Sequence, residues 1–347
     1  MKKRDMTLDL LKIIASWFVI YQHVGGPVLE APEYSVRYMA VLALNIFTET
    51  SVPLFLMVSG ALLLRKQESA GAVAKRILRI VFLIIVFSAF YDIFYYRGQW
   101  LDKWGEDILY SVATTAMWYL YLYIGFLFML PILRKIQLTD RECLYLVGIV
   151  VLFNGIFPFI QYYFDINMPS SIIGTFFFPT YIVLVFLGEY VLCRMKREWF
   201  HLKGAIAAML AIVVLLAFSM YCAVYQFDHS GVIAFDYLYN RQYYGPVILM
   251  AAAIAYLVKF LADLLNKYEW IRKPVSWIGI STFGIYLMGD FFRILYQPYT
   301  WRFLDRYNEF IVLVIYTSVT WFSAFVVSFL YQGMKQLANY VWSWRKK

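Results

Sequence analysis

The sequence predicts an all-α, polytopic integral membrane protein of about ten transmembrane helices, with both termini in the cytoplasm. Three observations carry that expectation. Of the 347 residues, 63% are hydrophobic and only 15% are charged, against roughly 25% charged in an ordinary soluble domain. Apolar runs long enough to cross about 30 Å of hydrocarbon, roughly 20 residues each, recur along the chain. Basic residues gather between alternate runs. Mean hydropathy is +0.65. Helices follow because a helix satisfies its own backbone in lipid, whereas an open sheet edge does not.

The runs lie near 7–28, 39–64, 77–97, 108–131, 143–163, 172–192, 204–224, 245–265, 275–296 and 310–334. The first carries Asp9, Lys12 and His23, and no small-residue cleavage site follows it, so it reads as a permanent helix. The second contains Asn45 and Glu49, and the third is preceded by Lys75, Arg76 and Arg79. Pro158 and Pro169 crowd the connection between the fifth and sixth, and Glu189 near the end of the sixth reads as a snorkelling carboxylate. Cys222 lies inside the seventh run. The eighth follows a polar segment, 225–244, and the ninth carries Tyr286, Asp290 and Arg293 before a second polar segment, 297–309. Both segments are rich in Tyr, Asp, Asn and Gln and read as outer loops.

Orientation follows from the basic residues. With the amino terminus inside, 22 Lys and Arg fall in cytoplasmic segments, whereas only Arg37, Arg97, Lys103, Arg241, Arg302 and Arg306 fall outside. That asymmetry is the signature of topology. The formal net charge of +9 is therefore topological, and nucleic-acid binding is excluded. Cys143, Cys193 and Cys222 form neither a disulfide framework nor a zinc spacing, so no metal is expected. With no internal repeat, low-complexity tract or fused soluble domain in view, residues 1–347 read as a single transmembrane domain.

The first run holds the densest polar pattern. Lys12 and His23 are close to three helical turns apart, so they point the same way, roughly 16 Å apart along the axis. Asp5, Asp9, Lys12, Ser16 and His23 fall near one stripe. A charge inside a span costs about 2.5–3.5 kcal/mol on insertion scales, so such a stripe faces the protein interior or a water-filled cavity. Asp9 and Lys12 are three residues apart and can pair. His23 is the only histidine within a run, and an imidazole titrating near neutrality suits general-base work. The structural alternative is an interfacial histidine bonded to a headgroup or loop carbonyl. Glu49 either orients His23, balances Lys12 or bonds two helices together. His201 and His229 fall in loops.

Several segments resemble the acyltransferase-3 family of membrane acyltransferases, which includes bacterial surface-polysaccharide O-acetyltransferases. They are Leu8-Asp9-Leu10-Leu11-Lys12 through His23, the string Val52-Pro53-Leu54-Phe55-Leu56-Met57-Val58-Ser59-Gly60, Arg76-Ile77-Leu78-Arg79, Trp118-Tyr119-Leu120, and Phe283-Gly284-Ile285-Tyr286-Leu287. The chain departs from the family where Lys12 stands for arginine. It departs again at Ala116 and Gly289, where relatives often carry histidine.

The resemblance implies transfer of an acyl group, usually acetyl, from cytoplasmic acetyl-CoA or another acyl-CoA. The acceptor would be a hydroxyl of a cell-surface glycan, or of its lipid-linked saccharide precursor, outside the plasma membrane. On that reading His23 is the general base. Lys12, with Asp9 and Glu49 near it, manages charge. Lys75, Arg76 and Arg79 hold the CoA phosphates, while Trp118, Tyr286 and Asp290 meet the substrates. The structural readings are an Asp9–Lys12 ion pair, positive-inside anchoring for the basic cluster, core packing for Trp118 and snorkelling for Arg293. Direct transfer is expected over an acyl-enzyme, because no well-placed serine or cysteine nucleophile stands out. The competing functions are a transporter of glycan or small metabolite, and a sensory membrane module without chemistry.

Overall fold

The computed structural model describes residues 4–25, 29, 34–96, 100–109, 112–164, 180–230, 243–304 and 306–345. Among them every regular element is helical: α1 (Met6–Gly25), α2 (Val36–Thr48), α3 (Ser51–Leu63), α4 (Ala70–Tyr96), α5 (Trp100–Leu109), α6 (Trp118–Leu133), α7 (Asp140–Val151), α8 (Phe157–Phe164), α9 (Thr180–Glu189), α10 (Leu202–Ser230), α11 (Gly245–Leu265), α12 (Glu269–Leu304) and α13 (Glu309–Arg345). Wide π turns extend α7 into α8 and carry α9 on to Arg194. Part of the sixth expected span, 172–179, with Pro169, most of the 225–244 segment, and the basic residues Lys2, Lys3, Arg97, Arg241, Lys346 and Lys347 lie outside the described residues.

Eight helical spans among the described residues are long and apolar enough to cross a membrane, where about ten were expected. The two remaining segments are α1, whose hydropathy is lowered by its polar stripe, and α9, whose described length is short. Both are packed inside the bundle, with Leu11, Ala15 and Leu184 fully buried.

The second run is two helices rather than one. Pro53 has no N–H to offer the carbonyl of Glu49, so the ladder breaks there, and it resumes with Leu54 N donating to Thr50 O at 2.9 Å. Residues 100–107, expected within an outer loop, fold into the amphipathic α5, pinned to α4 by Trp104 Nε1 donating to Ile85 O at 3.1 Å. Residues 225–230 and 297–304, also expected as loop, continue α10 and α12. Their polar, tyrosine-rich composition lowers hydropathy without lowering helicity. Pro298 lies inside α12, and one turn on the Thr300 hydroxyl donates to Tyr296 O (3.1 Å).

α1 is the axis of the packing. Its first half joins a cluster with α3, α4, α6, α9 and α11, through Leu11, Met57, Leu120, Leu184 and Ile254. The second half joins another with α2, α10, α11, α12 and α13, through Tyr21, Val41, Cys222, Val247, Ile285 and Leu313. α1 and α12 run parallel, so their first residues meet at one end of the bundle and His23 meets Arg293 at the other.

Lipid offers no hydrophobic drive between helices, so close approach of backbones through small residues holds them together. The α3–α9 crossing is built this way. A Cβ on Gly60 would lie 1.9 Å from Val185 O, and one on Gly188 would lie 2.1 Å from Met57 O. These are backbone atoms and cannot swing aside. Gly60→Ala and Gly188→Ala should each destabilise the protein by at least about 1–3 kcal/mol, the cost of overpacking. Gly125→Ala, with nothing within 4 Å of its Cβ position, should leave thermal unfolding in detergent nearly unchanged.

Candidate functional site

Polar side chains of the interior gather at both ends of α1. At its start Asp9, 2% exposed, is bridged by Arg4 Nη2 at 2.6 Å and Lys12 Nζ at 2.7 Å. Lys12 also donates to Gly279 O of α12 at 3.1 Å. The approach depends on Gly279, where a Cβ would lie 2.6 Å from Asp9. The Asp9–Lys12 pair anticipated from spacing is present. Further along the stripe, Ser16 donates to Ile13 O and accepts from Trp321 Nε1 at 2.9 Å, and Gln22 donates to Asn45 O and Thr48 Oγ1. Glu49 caps α2 through its backbone N–H, and the carboxylate that meets Lys12 is Asp9.

At the other end of α1, His23 sits with Arg293, Thr300 and Tyr316 around a cavity of about 30 Å³, room for about one water. Its Nδ1 lies 3.4 Å from Thr115 Oγ1. The charges nearest to it are Asp290 and Arg293, which form an ion pair with each other, the carboxylate almost fully buried. Tyr316 donates to the Arg293 carbonyl. His23 is ringed by protein yet only half-buried. A side chain in that condition faces an internal space rather than packed core.

The basic end of the bundle holds a larger cavity, about 840 Å³, lined by Arg65, Lys66, Glu68, Arg134, Glu189 and Arg194 among others. Glu68 is its hub. Its carboxylate takes Lys66, Arg76 at 3.0 Å and Arg134 at 3.1 Å. Glu189 likewise takes Arg65 at 2.7 Å and Arg194 at 2.8 Å. Cations outnumber carboxylates in this lining, and Nη2 of Arg194, one of the lining residues, is buried without a hydrogen-bond partner among the described residues. The arrangement fits an anionic, phosphate-bearing ligand, because guanidinium forks and an open donor are what such a group binds.

Of the three residues expected to hold CoA, Arg76 pairs with Glu68 of this cluster without itself lining the cavity. Lys75 and Arg79 do not line the cavity and are exposed. Arg76 is turned toward Glu68. Sequence reading missed Glu68, Arg65, Arg134 and Arg194 as lining residues of this cavity, since positive-inside counting absorbs every cation at that face. Only three-dimensional convergence separates them.

Tyrosines lie between the two ends. Tyr123 is close to Arg76 and Glu68, and it stacks on Tyr119 with ring centroids 6.2 Å apart. Tyr119 meets Tyr286 edge-on at 6.0 Å. Tyr286 donates to the carbonyl of Ala116 and neighbours Tyr91. Tyr91 donates to Leu287 O at 2.8 Å and accepts from Phe291 N at 3.1 Å, next to Asp290. Tyr119 and Tyr123 are half-buried while deep in the bundle, as His23 is. Trp118, half-buried, packs edge-on against Tyr119. Tyr286 and Asp290 are thus joined to His23 at one end of a row of hydroxyls, and Arg76 stands at the other.

A polytopic helical bundle with a polar interior and a cationic mouth defines a membrane protein built to handle a polar ligand within the bilayer. A family profile described as an acyltransferase domain matches residues 7–331, and the chain belongs to that family, the acyltransferase-3 membrane acyltransferases. No curated protein and no solved structure matches the chain.

Glu68 makes the basic cluster sensitive to acid. Its hydrogen bonds from Lys66, then Arg76 and Arg134, hold its carboxyl at about 2, against an ordinary 4.5. A depressed carboxylate stabilises fully above its unfolded value and loses that contribution as pH falls toward the folded one. Thermal stability in detergent should therefore hold level from pH 8 to about 5 and fall between about 4.5 and 2. Glu68→Gln should be less stable at pH 7 and show a shallower acid decline.

Proposed function

We propose that this acyltransferase carries an acyl group, acetyl in the simplest case, from acyl-CoA held at the basic end to a saccharide hydroxyl at the His23 end. The membrane is the plasma membrane, with the basic end cytoplasmic. The carrying observation is the position of His23, half-open to an internal space beside Asp290, Arg293 and Thr115. The family makes acyl transfer the preferred reading over transport.

His23 in its neutral form accepts the proton of the acceptor hydroxyl. The hydroxyl oxygen bonds to the thioester carbonyl carbon, giving a tetrahedral oxyanion. Collapse breaks the carbon–sulfur bond and releases CoA as thiolate, which takes the proton back from the imidazolium. The products are an ester and CoA thiol. Arg293 and the Thr115 hydroxyl are the donors near enough to steady the oxyanion. Lys12, roughly 16 Å from His23 along the helix and already engaged with Asp9 and Gly279, is too distant for that. It acts instead on the path of the donor. The phosphates of CoA stay among Arg76, Arg134, Arg65 and Arg194, whose charges match them.

The test uses full-length protein in nanodiscs, with acetyl-CoA and release of CoA thiol as the readout. His23→Ala should lower turnover by about 100- to 10,000-fold, the usual worth of a general base, while acetyl-CoA still raises the melting temperature. Arg76→Ala should weaken acetyl-CoA binding by about tenfold or more, the loss of one charge-assisted hydrogen bond. Equal CoA release from wild type and His23→Ala would remove the imidazole from the chemistry. Absence of binding by any acyl-CoA would remove the donor.

A further inference from the structure

The Asp290–Arg293 pair beside His23 is made within one helix, between side chains three residues apart on α12. Among the described residues neither side chain bonds to another helix, and Asp290 Oδ2 is buried without a hydrogen-bond partner. Where the pair points is therefore set by the backbone of α12. Two tyrosines from neighbouring helices hold that backbone. Tyr316 of α13 donates to the Arg293 carbonyl. Tyr91 of α4, 1% exposed, does more: its hydroxyl donates to Leu287 O at 2.8 Å and accepts from Phe291 N at 3.1 Å. Residues 287 and 291 are four apart, so these are the carbonyl and amide that an α-helix joins to each other. The Tyr91 oxygen thus enters the α12 ladder at the peptide that follows Asp290. A side chain inserted in the ladder is one of the few causes that bend a helix. Phe90 and Phe94 of α4 also pack on the Phe291 ring, with centroids 5.4 and 4.9 Å away.

We infer that Tyr91 is a positioning residue for the reaction: its hydroxyl, inserted into the turn 287–291, fixes the angle at which α12 presents Asp290 and Arg293 to His23. This rests on the acyl-transfer reading and adds a residue to its site. Asp290 and Arg293 are the charges nearest His23, and they act on an imidazole in opposite senses. Which of them lies nearer depends on the rotation of a single helical turn. So does the reach of the guanidinium toward a developing oxyanion. Without the hydroxyl, Phe291 N closes on Leu287 O, the turn regularises, and both side chains move together. Phenylalanine at 91 keeps the ring contacts with Phe90 and Tyr95, so the change is confined to one oxygen atom.

Tyr91→Phe tests this in full-length protein in nanodiscs, both with turnover and without it. The chain has three histidines, so isotopic labelling of histidine gives few ring signals in solid-state NMR, and the set lost in His23→Ala belongs to His23. The control is Tyr256→Phe on α11, whose hydroxyl likewise donates to a carbonyl, that of Trp199, and accepts from an amide, that of His201. Tyr91→Phe should move the His23 signals and leave those of His201 and His229 in place. Tyr256→Phe should move the His201 signals and leave those of His23. In Tyr91→Phe the kcat for CoA release should fall about 10- to 100-fold, the effect of misplacing groups around a reacting centre, with KM for acetyl-CoA unchanged. Tyr256→Phe should keep the wild-type kcat per folded molecule. Should Tyr91→Phe fold poorly, Phe94→Leu takes its place: it loosens the hold of α4 on Phe291 without removing a hydrogen bond, and should move the same His23 signals. Indifference of the His23 signals to these α4 variants, or a kcat loss no greater than that of Tyr256→Phe, would overturn the assignment. The ring signals need no acetyl-CoA, so absence of CoA release from wild type would count against acyl transfer while the signals alone still decided the place of Tyr91.

Discussion

A charge set among apolar helices must find its counter-charge inside the bundle, because neither lipid nor bulk water will take it. Asp9 is the clearest instance. Almost without exposure, it lies between Arg4 and Lys12, and the approach of Lys12 to α12 exists only because residue 279 has no side chain. Removing one member of such a group leaves an uncompensated charge worth about 3–5 kcal/mol. The same rule is met at Glu68, Glu189 and Asp290, each bound by guanidinium or ammonium. The balance differs from place to place, however. At Asp290 one cation meets one carboxylate. At Glu68 and Glu189 cations are in excess, which leaves the basic mouth with a net positive lining.

That difference in balance divides the labour of the site. On the proposed reading the surplus positive charge of the mouth holds the phosphates of CoA, and phosphates so held do not travel through the bilayer. The space beyond it is bordered by Tyr123, Tyr119 and Tyr286, which offer hydroxyls but no charge. Such a lining admits an uncharged, hydrogen-bonding arm while retaining the charged end behind. At the far end the ions are matched, leaving His23 beside a neutral pair. On the proposed reading a base there keeps its lone pair for the acceptor.

Much of the architecture was legible in one dimension because hydropathy reports directly on lipid exposure. The ten apolar runs all correspond to helices where they are described, and the stripe of α1 was readable from helical period alone. What hydropathy could not resolve were helices whose stability does not come from lipid. α5 is held by its amphipathic face, and the last turns of α12 by α13 and the Thr300 hydroxyl. The break at Glu49 was encoded in Pro53 but hidden by an otherwise continuous apolar run. In the site, residues on one helix were found together, as with Asp9 and Lys12. Residues joined only by convergence of separate helices were found singly or not at all. Arg76 was recognised without Glu68 or Arg134, and Asp290 was recognised without its meeting with His23.

Two of the three departures from the family pattern, Ala116 and Gly289, take on physical sense in this setting. At Ala116 the backbone carbonyl, not a side chain, receives the Tyr286 hydroxyl, so the fourth and ninth expected spans stay joined where relatives often place an imidazole. At Gly289 the absent side chain leaves room for Ile20 of α1, whose nearest atoms would lie 3.2 Å from a Cβ there. A side chain at 289 would require the tip of Ile20 to shift by a few tenths of an ångström. On the proposed reading, with neither imidazole present, proton handling falls to His23. The first helix is held in its register by the ion pair at one end and the glycine contacts along its length, so the geometry of the remaining base is set by the packing of α1 itself.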